Sequence, residues 1–172
     1  MQETIIQSII STFNFLINMK FGKEILVFII SILPILELRG GLLAASLLGL
    51  KALPSYIISI IGNVLPIPFI LLLINKILEK CQTSKNKNLN KFANYLNKKV
   101  EKNRPQIEKY GFWGLVLFVG IPLPGTGAWT GSLIAGVLNM DRKKSFLAIL
   151  LGVFLASIIM MIISFGLLKR II

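Results

Sequence analysis

The sequence contains no histidine, which excludes imidazole metal sites, His-based acid–base chemistry and the commonest side-chain proton switch near neutral pH. Its single cysteine, Cys81, excludes an internal disulfide and a Cys-rich metal site. Asp and Glu are scarce, seven against 19 Lys and Arg, and they form no cluster suited to a metal. With no GxSxG motif either, a nucleophile and its base are hard to assign. The chain therefore reads as a non-enzyme without cofactor or metal. Charged residues make up only 15% of it, against roughly a quarter in soluble domains.

What fills the space is hydrophobic: 55% of the residues, with a mean hydropathy of +0.78. Four stretches carry no charge at all: 4–19, 52–75, 110–140 and 145–168. A transmembrane helix needs about 20 apolar residues, so three of the four are long enough to span. An all-α integral membrane protein is expected. The opening Met1-Gln2-Glu3-Thr4 lacks a basic leader, and no small-residue cleavage site follows, so no signal peptide is expected. The net charge of +12 does not point to nucleic acid, because the basic residues flank apolar segments and no aromatic platform interleaves them. The partners implied are the lipid bilayer and a small-molecule or lipid substrate; a homo-oligomer stays open.

Along the chain, residues 1–20 read as an interfacial helix, apolar and polar by turns. Residues 21–78 form a first half, 79–110 a basic linker and 111–170 a second half. In the linker, Leu89, Phe92, Leu96 and Val100 fall at helical spacing and suggest a short amphipathic helix. An ungapped shift of 90 residues aligns the halves: Phe28 with Phe118, Pro34 with Pro124, Gly41 with Gly131 and Gly62 with Gly152. Leucine matches are cheap in such a chain, whereas Pro and Gly matches fall where the backbone must do something unusual. Matched Gly/Pro interruptions in two halves point to a transporter site.

The stretch 110–140 would be about 46 Å long as a straight helix, against a hydrocarbon core of about 30 Å. Broken at residues 121–131, it becomes two short arms, the length of a hairpin that dips into the bilayer and returns. The matching break in the first half falls at residues 34–41. If both stretches are re-entrant, each half crosses once. The linker and the Arg142–Lys144 loop then share one face, with twelve Lys/Arg against five opposite. That bias puts the linker in the cytoplasm and the chain in the cell membrane. If the stretches span instead, the repeats run parallel. The re-entrant reading gives two inverted repeats, each a re-entrant helical hairpin followed by a transmembrane helix.

Glu37 and Arg39 are the ionisable residues well inside an apolar stretch; each costs about 2.5–3.5 kcal/mol at a helix centre, so function is the first suspicion. They would pair to pin an unwound tip, or serve as a coupling carboxylate and an anchor for an anionic group. Pro34, Gly40 and Gly41 complete that first tip. The second tip offers Pro122, Pro124, Gly125, Thr126, Gly127, Trp129 and Thr130, whose amides and hydroxyls could receive an ion at a broken helix end. Close packing through Gly127 and Gly131 is the plainer reading of the same residues. Asn63, beside Gly62, is a weaker candidate.

PILELRGG (34–41) and GIPLPGTGAWTG (120–131) resemble the small multidrug export protein family, which looks like a distant relative of the DedA (VTT-domain) superfamily. The resemblance covers about residues 20–170. It implies two opposed re-entrant hairpins, a transporter coupled to an ion such as the proton, and a drug or an anionic lipid-like substrate bound at the bilayer midplane. Glu37 would correspond to an acidic residue of the first hairpin. DedA proteins typically carry arginines in the second hairpin; here there is none, and Arg39 lies in the first. A non-transporting scaffold or envelope-homeostasis factor is the competing class, ahead of a membrane enzyme.

Overall fold

The structure, a computed structural model, describes residues 2–13, 17, 19–84 and 87–167. Among these every element is helical: α1 (Gln2–Thr12), α2 (Gly22–Ile32), α3 (Glu37–Leu47), α4 (Ala52–Val64), α5 (Ile67–Thr83), α6 (Lys87–Gly120), α7 (Ala128–Val137), α8 (Arg142–Met161) and a π-helical segment, Ile162–Leu167. Two helical stretches are long and apolar enough to cross a membrane, Ala52–Thr83 and Arg142–Gly166. Their outward faces carry Ile57, Ile61, Phe69 and Leu72 on one, and Leu147, Leu151, Phe154 and Ile158 on the other, all exposed. Water penalises an apolar surface of that extent, and hydrocarbon does not. The inward face of α4 is the reverse, with Ser55, Ser59, Gly62 and Asn63 buried at helical spacing. Small and polar inside, aliphatic outside, is the pattern of helices packed in lipid.

The chain divides into two compact units, Met1–Leu65 with Val153–Ile172, and Pro66–Gly152. In the first unit α2 and α3 form an antiparallel hairpin against α4. Pro34 explains the break: the residue before a proline is pushed into extended geometry, and Leu33 adopts φ −66°, ψ 134°. The helix then resumes at Glu37, earlier than the sequence suggests, so Glu37 and Arg39 lie in the first turn of α3 and not in an unwound tip. At the hairpin's base the Lys23 ammonium donates to the carbonyl of Leu48 at 3.0 Å, closing the C-terminal end of α3. Each arm has eleven residues, about 17 Å. The α1 helix rests on α3 with Ile6 fully buried. The π-helical segment also packs on α3, and the Ser46 hydroxyl donates to the Ser164 carbonyl at 2.6 Å.

The second unit repeats this plan with different side chains. After a kink at Gly111 (φ 53°, ψ −122°), residues 112–120 of α6 form the first arm and α7 the second. The α7 helix packs on α5, where Gly136 sits against the Ile74 side chain and Asn75 Nδ2 donates to Asn139 Oδ1 at 2.7 Å. An apolar core of Ile74, Leu78, Cys81, Ala93 and Leu96, joined by Leu133 and Val137, fixes α5, α6 and α7 together. The linker is therefore less linker than expected. The α5 helix runs on to Thr83, and α6 runs from Lys87 to the kink at Gly111, longer than the short helix expected, before the hairpin arm begins. Its buried stripe is Ala93, Leu96, Val100 and Ile107; Leu89 is exposed, and the Phe92 side chain lies outside those described.

The turns that close the two hairpins match bond for bond at the 90-residue shift. Leu48, Gly49 and Leu50 donate to Ala44, Ser46 and Ala45; Leu138, Asn139 and Met140 donate to Ile134, Gly136 and Ala135. Gly49 (φ 70°) and Asn139 (φ 52°) share the left-handed conformation that these two residue types tolerate best. Along the first arm the correspondence slips. Gly62 meets Phe28 O and Ser31, whereas Gly152 meets Val116 O and Val119. Phe28 thus matches Val116 rather than Phe118, a shift of 88, because the second hairpin spends two more residues between its arm contact and its glycine.

Candidate functional site

Glycines set the site by letting three helices close up. A Cβ on Gly41 would fall on the Ser31 hydroxyl and 2.9 Å from the Ser59 hydroxyl; one on Gly62 would lie 2.9 Å from both Phe28 O and Ser31 Cβ. Ser31 of α2, Gly41 of α3 and Ser59 of α4 therefore meet at one point. From there the antiparallel register of α3 and α4 carries the geometry on. Glu37 lies one turn before Gly41, and Asn63 one turn after Ser59, so Glu37 and Asn63 stand at the same level. Both are buried, 5% and 2% exposed, as is Arg39 at 7%.

Three features mark this cleft. Glu37 takes φ 52°, left-handed backbone that a non-glycine residue adopts at a cost of about 1–2 kcal/mol. The Ser59 hydroxyl and the Asn63 carbonyl oxygen are buried without a hydrogen-bond partner, an arrangement that costs about 1–3 kcal/mol per group. And Glu37 lies close enough to act electrostatically on the Arg39 guanidinium, although two positions apart on a helix they leave it on different sides. The Ser31 and Ser59 hydroxyls both flank Gly41, and Ser31 donates to Val27 O at 2.8 Å. The sequence pointed to Glu37, Arg39, Gly40, Gly41 and Asn63 and missed Ser31 and Ser59. The stripe Ser55, Ser59, Gly62, Asn63 in an otherwise aliphatic span was the available signal. Pro34 lies in the tip, exposed.

The second tip is a different object. Pro124 and Gly125 are exposed, Pro122 and Trp129 half-buried, and Gly127 and Thr130 buried. The Thr126 hydroxyl lies 2.8 Å from Leu123 O and 3.0 Å from Ile121 O, so it closes the turn. Gly131 is packed against Val119 and Leu115, a Cβ there falling 2.6 Å from Val119 Cγ2. Beside the tip lies an apolar groove of about 320 Å³ lined by Leu117, Phe118, Leu123 and Thr126, among others.

The family model described as "Putative small multi-drug export protein" matches residues 37–159. The chain belongs to that family. The match begins at Glu37, takes in Arg39, Asn63 and the whole second tip, and ends within the second apolar span. Family membership and the two apolar spans together make this small multidrug export family member a membrane protein, with transport rather than catalysis as the role its family name carries. No curated protein and no solved structure matches the chain.

Proposed function

We propose that this member of the family is an ion-coupled exporter in which the cleft of Ser31, Glu37, Ser59 and Asn63 binds the coupling cation, with the proton as first choice. Arg39, in the same turn as Glu37, holds an anionic group of the substrate. The observation that carries this reading is the buried, strained Glu37 level with an unbonded Asn63 oxygen. A buried carboxylate level with the unbonded Asn63 oxygen interacts differently with the cation-bound and cation-free states, and that differential is what coupling requires.

The architecture proposed with it is a pair of inverted repeats. Arms of about 14–17 Å reach about halfway through a core of about 30 Å, so each hairpin enters and leaves on one face and each half crosses once. Two contacts, one within each unit, support the internal repeat. Ser46 bonds Ser164, and Gly136 packs on Ile74; adding 90 to Ser46 gives Gly136, and adding 90 to Ile74 gives Ser164. With one crossing per half, the two repeats run in opposite senses through the bilayer, the topology of many secondary transporters. The Lys/Arg excess supports a cytoplasmic linker.

The test is flux in vesicles. Reconstituted protein should move protons when offered a transported drug, and Glu37→Gln should stop that movement while leaving the fold intact. Arg39→Lys, which keeps charge but loses the fork of donors, should weaken substrate dependence more than basal proton leak. Vesicles that show no drug-dependent flux with any of a panel of lipophilic cations and anions would instead favour a scaffold.

A further inference from the structure

A groove of about 280 Å³ in the second unit is lined by Pro68, Leu71 and Leu72 of α5 and by Arg142, Lys143 and Phe146 of α8. Its walls are apolar, and its rim is basic. Arg142, Lys143 and Lys144 are exposed and crowd the first turn of α8, which contains no acidic residue. The positive end of a helix macrodipole makes that a poor place for cations, so their repulsion adds to a concentrated positive field. The preceding Asp141, whose carboxylate accepts the Lys144 backbone N–H at 2.8 Å, offsets one of these three charges and leaves an excess of two. Lys76, exposed one turn beyond Leu72, adds a further cation on α5.

Apolar walls below a cationic rim, on helices whose outward faces are aliphatic, are complementary to one kind of molecule. We propose that this groove is a binding site for an anionic phospholipid of the surrounding leaflet, its phosphate against Arg142 and Lys143 and an acyl chain along Leu72 and Phe146. Pro68, which has no backbone N–H, leaves that part of the wall without a donor and suits it to a hydrocarbon chain. The inference rests on the membrane assignment and not on the transport reading.

Native mass spectrometry of the full chain, released from micelles doped with dioleoyl phosphatidylglycerol or dioleoyl phosphatidylcholine, tests it. The anionic lipid should be retained at least tenfold better. Arg142→Gln with Lys143→Gln should lower its retention by about fivefold for each charge removed. Removing two linker charges, Lys98→Gln with Lys109→Gln, should leave it unchanged, and the charge-preserving pair Arg142→Lys with Lys143→Arg should keep binding, separating loss of the site from loss of the fold. Phe146→Ala should weaken retention of the dioleoyl lipid. Equal retention of the two lipids, an equal loss in the linker variant, or full displacement by equimolar glycerol phosphate would each overturn the proposal, the last because it leaves the groove walls without a role.

Discussion

Gly136 lies against Ile74 so closely that no side chain fits at position 136, and the contact holds α7 to α5. Gly136→Ala should therefore destabilise by about 1–3 kcal/mol, the usual effect of overpacking. For a chain of this size that lowers Tm by several degrees. Ile74→Ala removes the atoms struck but opens a core cavity worth about 2–5 kcal/mol by itself, so the two changes are compared as a double-mutant cycle. Gly136→Ala should cost less in the Ile74→Ala background than in the native chain, and an equal cost in both would mean that the two helices do not meet there.

The corresponding experiment in the first unit uses Gly41. Gly41→Ala collides with the Ser31 hydroxyl, and Ser31→Gly should relieve it. By contrast Gly49→Ala meets no atom within 4 Å, and only its left-handed φ of 70° resists, for about 1–2 kcal/mol. Thermal unfolding in detergent should thus show rescue by Ser31→Gly for position 41 and none for position 49.

Much of this arrangement was legible beforehand. Pro34 and the run Pro122 to Gly127 located both hairpin tips, because proline and glycine act through the backbone whatever surrounds them. What stayed hidden was set by packing. Residue 37 was not readable as the start of α3, since a glutamate with positive φ persists only where its surroundings over-determine it. The two-residue slip that pairs Phe28 with Val116 was invisible because aliphatic residues at neighbouring positions look alike. In α6, Ala93, too small to register as an anchor, replaces Leu89 in the buried stripe. Ser31 and Ser59 escaped because serine in an apolar helix commonly bonds its own preceding turn, as Ser31 does to Val27.

Topology can be read by labelling. Cys81 lies in the apolar core of the second unit, so Cys81→Ala is the gentler background. Lys51 and Lys143 are both exposed and suit single cysteines. With each half crossing once, a membrane-impermeant maleimide added to intact cells should label position 51 and spare position 143 until the membrane is opened. Labelling of both from outside would make the interrupted stretches spanning and the repeats parallel.

Asn63 separates a binding role from a structural one, because the two pull stability and activity in opposite directions. Its carbonyl oxygen is buried at 2% exposure with no hydrogen-bond partner, so at rest it is a liability of about 1–3 kcal/mol. Leucine has the same branched skeleton, with bulkier tips, and no polar atom to strand. If the oxygen exists to meet a cation beside Glu37, Asn63→Leu should hold or raise Tm, by about 2–4 °C for each kcal/mol recovered, while abolishing drug-driven proton flux. Asn63→Asp, which keeps an oxygen at the same place and adds charge, should retain flux and bind the cation more tightly. A structural role gives the reverse order: Asn63→Leu would lose stability along with activity, and no polar replacement would preserve transport in a protein that still folds.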